Sequence, residues 1–379
     1  MSKIKVMTIV GTRPEIIRLS RVMAVLEEET RHVLVHTGQN YDYELNGIFF
    51  QELQVPKPRH FLKAAGRNAA ETIGKTIAKV DVVLERERPD AVLVLGDTNS
   101  CLAVIPAKRR KIPIFHMEAG NRCFDMRVPE EINRRIVDHV SDINLCYTEH
   151  GRRYLLAEGL PPDRVIKTGS PMREVLDFNR AAIAASDIHT RLKLEQKKYF
   201  TLSIHREENV DDRAHLRSLV AALNALAVKY RHPLIFSVHP RTRKRLEAGR
   251  HKLHKLVRPM PPLGFFDYVA LQKDAFCTVS DSGTITEESS ILGFPAVTVR
   301  EAHERPEGMD EGAVIMSGLG QERILQAVAM TLAQFKKFGP CRVPADYDVP
   351  QLSWKVAKII LSYTDYINRR VWMKPSPAE

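Results

Sequence analysis

Lys3-Ile4-Lys5-Val6-Met7-Thr8-Ile9-Val10-Gly11-Thr12-Arg13-Pro14-Glu15 opens the chain with a β-rich apolar run that stops at a glycine and turns into a helical pattern. Pro14 suits the first turn of a helix, and helical spacing continues over residues 14–28. This strand-then-helix unit recurs and decides the fold class. Residues 3–10, 32–36, 90–95, 112–116, 143–146 and 165–168 read as strands, with helices over 69–86 and 129–140 among the intervening stretches. Continuous apolar strands separated by helices imply a parallel sheet covered on both faces. After a polar stretch at 186–198, residues 199–204, 234–238, 276–279 and 296–299 supply a second set. The prediction is α/β: two doubly wound, Rossmann-like domains, residues 1–170 and 171–354, with a linker near 170–198. The tail over 351–372 looks helical and carries no strand signal.

A chain of 379 residues exceeds one comfortable core, which agrees with two domains. Its 44% hydrophobic and 27% charged residues are those of a soluble globular protein. Apolar runs are strand-length, too short for a membrane span. The apolar N-terminal stretch leads into GTRPE and not into a small-residue cleavage site, so it reads as a first strand and not a signal peptide. Five cysteines, odd in number and without a CxxC pair, predict neither a disulfide framework nor a zinc site and fit a reducing cytosol. The net charge of +11 admits an anionic partner. The basic clusters at 108–111 and 241–245 lack a nucleic-acid motif and interleaved aromatics, which favours a phosphorylated small molecule over nucleic acid.

Ligands of open α/β sheets sit beyond the carboxyl ends of the strands. The first such turn, Gly11-Thr12-Arg13-Pro14-Glu15, is neither a GxGxxG fingerprint nor a P-loop, so no dinucleotide cofactor is expected there. A helix N-terminus beside Arg13 suits a phosphate. Asp97 follows residues 91–96, Glu118 follows 112–117, Glu130 opens a helix, and His205 ends 199–204. Each has a plain structural reading: Asp97 as the cap of a helix starting near Thr98, Glu130 as a complement to a helix dipole, His205 as a polar strand end. Taken together they predict proton-exchanging groups meeting in a cleft between the domains, as an isomerase needs. In the second half, Asp281-Ser282-Gly283-Thr284 offers small residues and free N–H groups for a diphosphate. Glu288 can accept from ribose hydroxyls, and Arg305 suits a phosphate.

These residues fall in eight ordered motifs: GTRPE (11–15), HTGQ (36–39), GDTNS (96–100), HMEAG (116–120), PEEINR (129–134), HREEN (205–209), DSGT (281–284) and ERPE (304–307). The sequence resembles the non-hydrolysing UDP-N-acetylglucosamine 2-epimerases over nearly its whole length. The resemblance implies a GT-B fold whose C-terminal helix, within 355–379, crosses back onto the first domain. It implies catalytic roles for Asp97, Glu118, Glu130 and His205. It also implies substrate contacts from Arg13, Arg18, His239, Leu263, Tyr268, Ser282, Gly283, Thr284, Glu288 and Arg305. A cytoplasmic homodimer serving surface-polysaccharide synthesis is implied too, with no metal, no cofactor and no membrane partner.

Three positions depart from the family pattern: Arg18 replaces a lysine, Gly283-Thr284 a glycine pair, and Asn40 a histidine in a region some relatives use for allosteric binding. The strings YDYELN (41–46), 107–125 and 362–372 look most like a subgroup that acts on 6-deoxy sugars, forming UDP-N-acetyl-L-fucosamine from its talo-configured C2 epimer. No carbonyl activates C2 of a 2-acetamido sugar. The chemistry the resemblance implies is loss of UDP across C1–C2 to a 2-acetamidoglycal, followed by re-addition after protonation from the other face. A GT-B glycosyltransferase using a UDP-sugar donor is the nearest alternative; it would release UDP only with an acceptor present.

Overall fold

The structure, a computed structural model, describes residues 3–39 and 43–375, with 43–46 described through their backbone alone. Asn40 and the side chains of the 41–46 string therefore lie outside the described residues. The chain divides into two compact units, Met1–Phe178 with Ala345–Glu379, and Asn179–Pro344.

In the first unit the strands are β1 Lys5–Val10, β2 Arg31–His36, β3 His60–Phe61, β4 Ala91–Leu95, β5 Ile114–Met117, β6 Ile143–Cys146 and β7 Val165–Lys167. They form one parallel sheet in the order β3-β2-β1-β4-β5-β6-β7. The Arg13–Glu29 helix buries Ile16, Leu19, Val22, Met23 and Leu26, an i, i+3, i+4 stripe whose members contribute about 1.5–3 kcal/mol each on burial. The Leu352–Arg370 helix buries Leu352, Val356, Ile360, Thr364 and Ile367 along one stripe and packs against the Arg13–Glu29 helix. Its start is tied down by Glu174, which accepts from the backbone N–H of Ser353 at 2.8 Å and from its hydroxyl.

In the second unit, β8 Phe200–Ser203, β9 Leu234–Ser237, β10 Val257–Met260, β11 Cys277–Ser280, β12 Ala296–Thr298 and β13 Ile315–Met316 form a parallel sheet in the order β10-β9-β8-β11-β12-β13. Its core gathers Phe200, Leu202, Phe236, Val279 and Val297 with Leu219, Leu223 and Leu226 of the Arg213–Tyr230 helix. The chain is thus α/β with two Rossmann-like sheets, the GT-B class, and its C-terminal helix belongs to the first unit.

β3 and β10 carry no apolar run, β13 ends a run of only four apolar residues at 313–316, and all three are absent from the sequence reading. All three lie at or beside sheet edges, where half of a strand's hydrogen bonding goes unused and Pro259 of β10 is tolerated. Among the described residues no helix is long and apolar enough to cross a membrane. Four of the eight basic residues in the two clusters pair with acids of the chain. Arg110 pairs with Asp81, Lys108 with Asp142, Arg241 with Glu207 and Arg245 with Asp211.

Candidate active site

Each sheet reverses its strand order once, between β1 and β4 in the first and between β8 and β11 in the second. Such switch points open a crevice beyond the strand ends. Arg13 and Asp97 follow β1 and β4 at the first, and His205 and Ser282–Thr284 follow β8 and β11 at the second; the other candidates follow neighbouring strands or open helices, and the two sets are described separately.

In the first unit, Thr12 caps the helix that begins at Arg13. Glu15 is buried beneath the turn and accepts from Gly11 N at 2.8 Å, Thr12 N at 2.6 Å, Thr12 Oγ1 at 2.9 Å and Thr98 Oγ1 at 2.9 Å. It therefore joins the GTRPE turn to the GDTNS turn. Burial raises its carboxyl above the ordinary range, and those hydrogen bonds oppose the rise. Asp97 is not the cap of the following helical turn. That role belongs to Thr98, whose Oγ1 accepts from Ser100 N at 3.2 Å, leaving the Asp97 side chain to turn toward Arg134. Asn133 of the same Pro129–Val140 helix donates to the Asp97 carbonyl at 2.9 Å.

Glu118 follows β5 with φ +65°, the left-handed region in which a non-glycine residue is strained. Its carboxylate forms an ion pair with Arg18 and accepts from Asn121 Nδ2 at 3.3 Å. The Arg18 guanidinium lies 5.7 Å from the Tyr147 ring centroid. The lysine-to-arginine departure at 18 thus serves a carboxylate on one side and an aromatic face on the other. Glu130 occupies the first turn of the Pro129–Val140 helix, half-buried, and Arg134 follows one turn later. Arg13 is half-buried at the start of its helix, its guanidinium 5.7 Å from the Phe49 ring centroid. Asp97 and Glu118 are thus each paired with an arginine, and Glu130 precedes Arg134 by one turn on the same helix.

In the second unit the organiser is Asp281, fully buried at the end of β11. It accepts from His205 N at 3.0 Å, Arg206 N at 2.9 Å and Asn209 Nδ2 at 3.0 Å, and His205 Nδ1 lies 3.2 Å from its Oδ1. His205 is therefore held by backbone and ring while its side chain stays 43% exposed. Ser282 and Thr284 hydroxyls lie 2.9 Å apart, flanking Gly283. A Cβ on Gly283 would meet Glu304 Oε1 at 2.7 Å, and Glu304 is itself held by Arg206 at 3.2 Å and Arg300 at 2.7 Å. Glu288 is buried and accepts from Gln272 Nε2 at 2.7 Å. Arg305 is buried with Nε 3.6 Å from Glu287. Burial, with Glu288 nearby, pushes the Tyr268 phenol up. His239 caps the Pro240–Ala248 helix, and Leu263 is half-buried in the loop after β10.

The sequence reading missed Glu15, Arg134 and Asp281 as organising residues. Arg134 was within reach, because it sits four residues after Glu130 on one helical face. Glu15 was within reach too, standing at capping-box spacing from Thr12, whereas its bond to Thr98 and the contacts of Asp281 are encoded by no local spacing.

Residues 24–361 match the sequence profile of the UDP-N-acetylglucosamine 2-epimerase family. The chain is similar to the UDP-N-acetylglucosamine 2-epimerase of Rickettsia bellii, with 54% identity and a TM-score of 0.90 over 98% of this chain and 100% of that one. The Methanocaldococcus jannaschii UDP-GlcNAc 2-epimerase, solved in complex with UDP-GlcNAc and UDP, is 33% identical with a TM-score of 0.89 over 94% of this chain and 99% of that one. The UDP-2,3-diacetamido-2,3-dideoxy-D-glucuronate 2-epimerase of Pseudomonas aeruginosa is 34% identical over 87% of this chain and 93% of its own length.

Proposed function

From the chain's membership of the UDP-N-acetylglucosamine 2-epimerase family, we propose that this epimerase inverts C2 of a UDP-linked N-acetylhexosamine by eliminating and re-adding UDP. The observation that carries the mechanism is the pair of carboxylates after the neighbouring strands β4 and β5, Asp97 and Glu118, each anchored by its own arginine. One group must take the C2 proton from one face and another must return a proton to the opposite face. Asp97, Glu118, Glu130 and His205 are the candidates for those two tasks. The departing diphosphate develops charge at the leaving oxygen. Arg13, Arg305 and the Ser282-Gly283-Thr284 backbone supply donors for it, as fixed dipoles and cations that need no reorganisation during the reaction. Arg18, His239, Leu263, Tyr268 and Glu288 complete the proposed substrate contacts.

The preferred sugar in this reading is the 6-deoxy-L-talo substrate, giving UDP-N-acetyl-L-fucosamine. Its support is the likeness of the 107–125 and 362–372 strings to that subgroup, together with a relative of comparable identity that acts on a different UDP-sugar. The enzyme is further proposed to work as a cytoplasmic homodimer. Its five free cysteines fit a reducing compartment.

The test is turnover in D2O with UDP-N-acetylglucosamine and, separately, with the 6-deoxy-talosamine derivative. Deuterium should enter C2 of the product, and the 6-deoxy compound should turn over faster. Epimerisation that keeps the original C2 hydrogen would rule out the elimination route. Equal or greater rates with UDP-N-acetylglucosamine would overturn the substrate assignment.

A further inference from the structure

Gly96, the residue after β4, and His116 of β5 are tied together two residues or fewer from Asp97 and Glu118. His116, fully buried on β5, points Nε2 at the carbonyl of Gly96, 2.8 Å away. A carbonyl only accepts, so Nε2 carries the proton and donates. The N–H of Gly96 donates in turn to the carbonyl of Met117 at 3.0 Å. Both polar groups of Gly96 are thus held by β5, and Gly96, with φ +78°, is the residue from which Asp97 departs.

The other ring nitrogen of His116 faces Asp138, with Nδ1 2.9 Å from Oδ1 in an off-axis electrostatic contact. Asp138 is fully buried on the Pro129–Val140 helix and also accepts from Gly120 N at 3.2 Å and from Arg122 Nη1 at 2.7 Å. Arg122 passes the charge on to Glu158 at 2.7 Å. Asp138 therefore holds residues 116 and 120, which flank Glu118 symmetrically. Only glycine fits at 120, since its φ is +80° and a Cβ there would meet the Gly151 carbonyl oxygen at 2.3 Å. The strained φ of Glu118 lies between two pinned neighbours.

We propose that His116, braced by Asp138, is a positioning residue that fixes Asp97 and Glu118 relative to one another. It reaches Asp97 through the Gly96 carbonyl and Glu118 through the shared grip of Asp138. It touches no substrate. The inference rests on the reading above, in which these carboxylates exchange the C2 proton.

Two substitutions separate the two arms of His116. In His116→Gln the side-chain amide reaches the place of Nε2 and keeps the donation to Gly96. In His116→Asn the amide reaches only the place of Nδ1, keeping the Asp138 contact and losing Gly96. His116→Asn is expected to lower kcat about 100-fold, the scale of an ångström-sized misplacement of reacting groups, with KM and UDP affinity unchanged. It should also release more free UDP and 2-acetamidoglycal per epimer formed, because the intermediate waits for a misplaced acid. His116→Gln should restore kcat to within a few-fold of the parent. Wild-type turnover in His116→Asn, equal failure of both variants, or a loss of kcat accompanied by raised KM and no change in glycal release would overturn the proposal. Deuterium entry at C2 in the unaltered enzyme tests the underlying reaction separately. Its absence there would sink the reaction assignment whatever the two variants do.

Discussion

Arg134 grips the Oδ2 oxygen of Asp97, which takes hydrogen bonds from Nε at 2.9 Å and Nη2 at 2.6 Å. The third arm of the same guanidinium, Nη1, lies 3.2 Å from Glu131, which is fully buried. One planar cation thus orients Asp97 and neutralises a second acid below it. A lysine offers a point charge that cannot serve both geometries. Arg134→Lys should therefore lower kcat by about 10- to 100-fold while the Kd for UDP stays within a few-fold of the parent. Arg134→Ala removes this cation from Asp97 and leaves Glu131 with Arg135, and it should lower unfolding free energy by about 1.5–3 kcal/mol, the scale of hydrogen bonds to a charged group. Steady-state kinetics and urea unfolding of the two variants check this; an Arg134→Lys enzyme of normal kcat would show that Asp97 needs no such orientation.

Gly283 tests the second switch point. A methyl group there approaches Glu304 Oε1 to 2.7 Å, and Arg206 and Arg300 keep that carboxylate from yielding freely. Gly283→Ala should push Glu304 off Arg206 and close the approach to the Ser282–Thr284 backbone. Overpacking of this kind costs about 1–3 kcal/mol, so UDP should bind roughly 10-fold more weakly, read by calorimetry. An unchanged Kd would remove Gly283 from the diphosphate site.

The sequence made Asp97, Glu118 and His205 legible because each follows a recognisable apolar strand, and strand ends are where an open α/β sheet binds ligands. Glu130 was legible from helix-start chemistry. The long-range contacts of Asp281, Asp138 and Glu15 were not, for a physical reason. Their function is to hold a turn from another strand, as Asp281 does for His205 across 76 positions and Glu15 for Thr98 across 83. No periodicity records a contact of that separation. The edge strands β3 and β10 escaped for the opposite reason: a peripheral strand needs no apolar run, so it leaves no pattern to read, whereas β13 ends a short apolar run at 313–316 that was not read as a strand.

Asp281 supports a third prediction. Its carboxylate collects two backbone N–H groups and the Asn209 amide, all donors. Asp281→Asn places an NH2 group among them and leaves at least one donor unmet. Hydrogen bonds to charged groups are worth about 1.5–3 kcal/mol, so the Asn179–Pro344 unit should lose stability on that scale. His205 should lose its orientation at the same time, lowering kcat. Hydrogen exchange at residues 205–209 should accelerate; protection equal to the parent's would show that the backbone holds the loop without Asp281.

His36 gives the last prediction, in the pH dependence of stability. It ends β2, fully buried, with its ring stacked 5.0 Å from Phe61. Nδ1 accepts from Gly38 N at 3.0 Å, so the proton of the neutral ring sits on Nε2, which meets no partner among the described residues. Charging the ring would cost that acceptor and bury a cation, and burial pushes its pKa down to about 4 from 6.5. Between those two values the unfolded chain takes up a proton that the folded chain refuses. Stability from this site is therefore intact above pH 6.5 and declines as pH falls toward 4, by on the order of 3 kcal/mol in all. His36→Asn can still accept from Gly38 N but cannot titrate. Its absolute stability at neutral pH should be lower, because packing against Phe61 is lost, while its decline between pH 6.5 and 4 should be shallower than the parent's. Urea unfolding at a series of pH values checks the difference in slope; parallel curves for the two proteins would mean that His36 charges in the folded state at its ordinary pH.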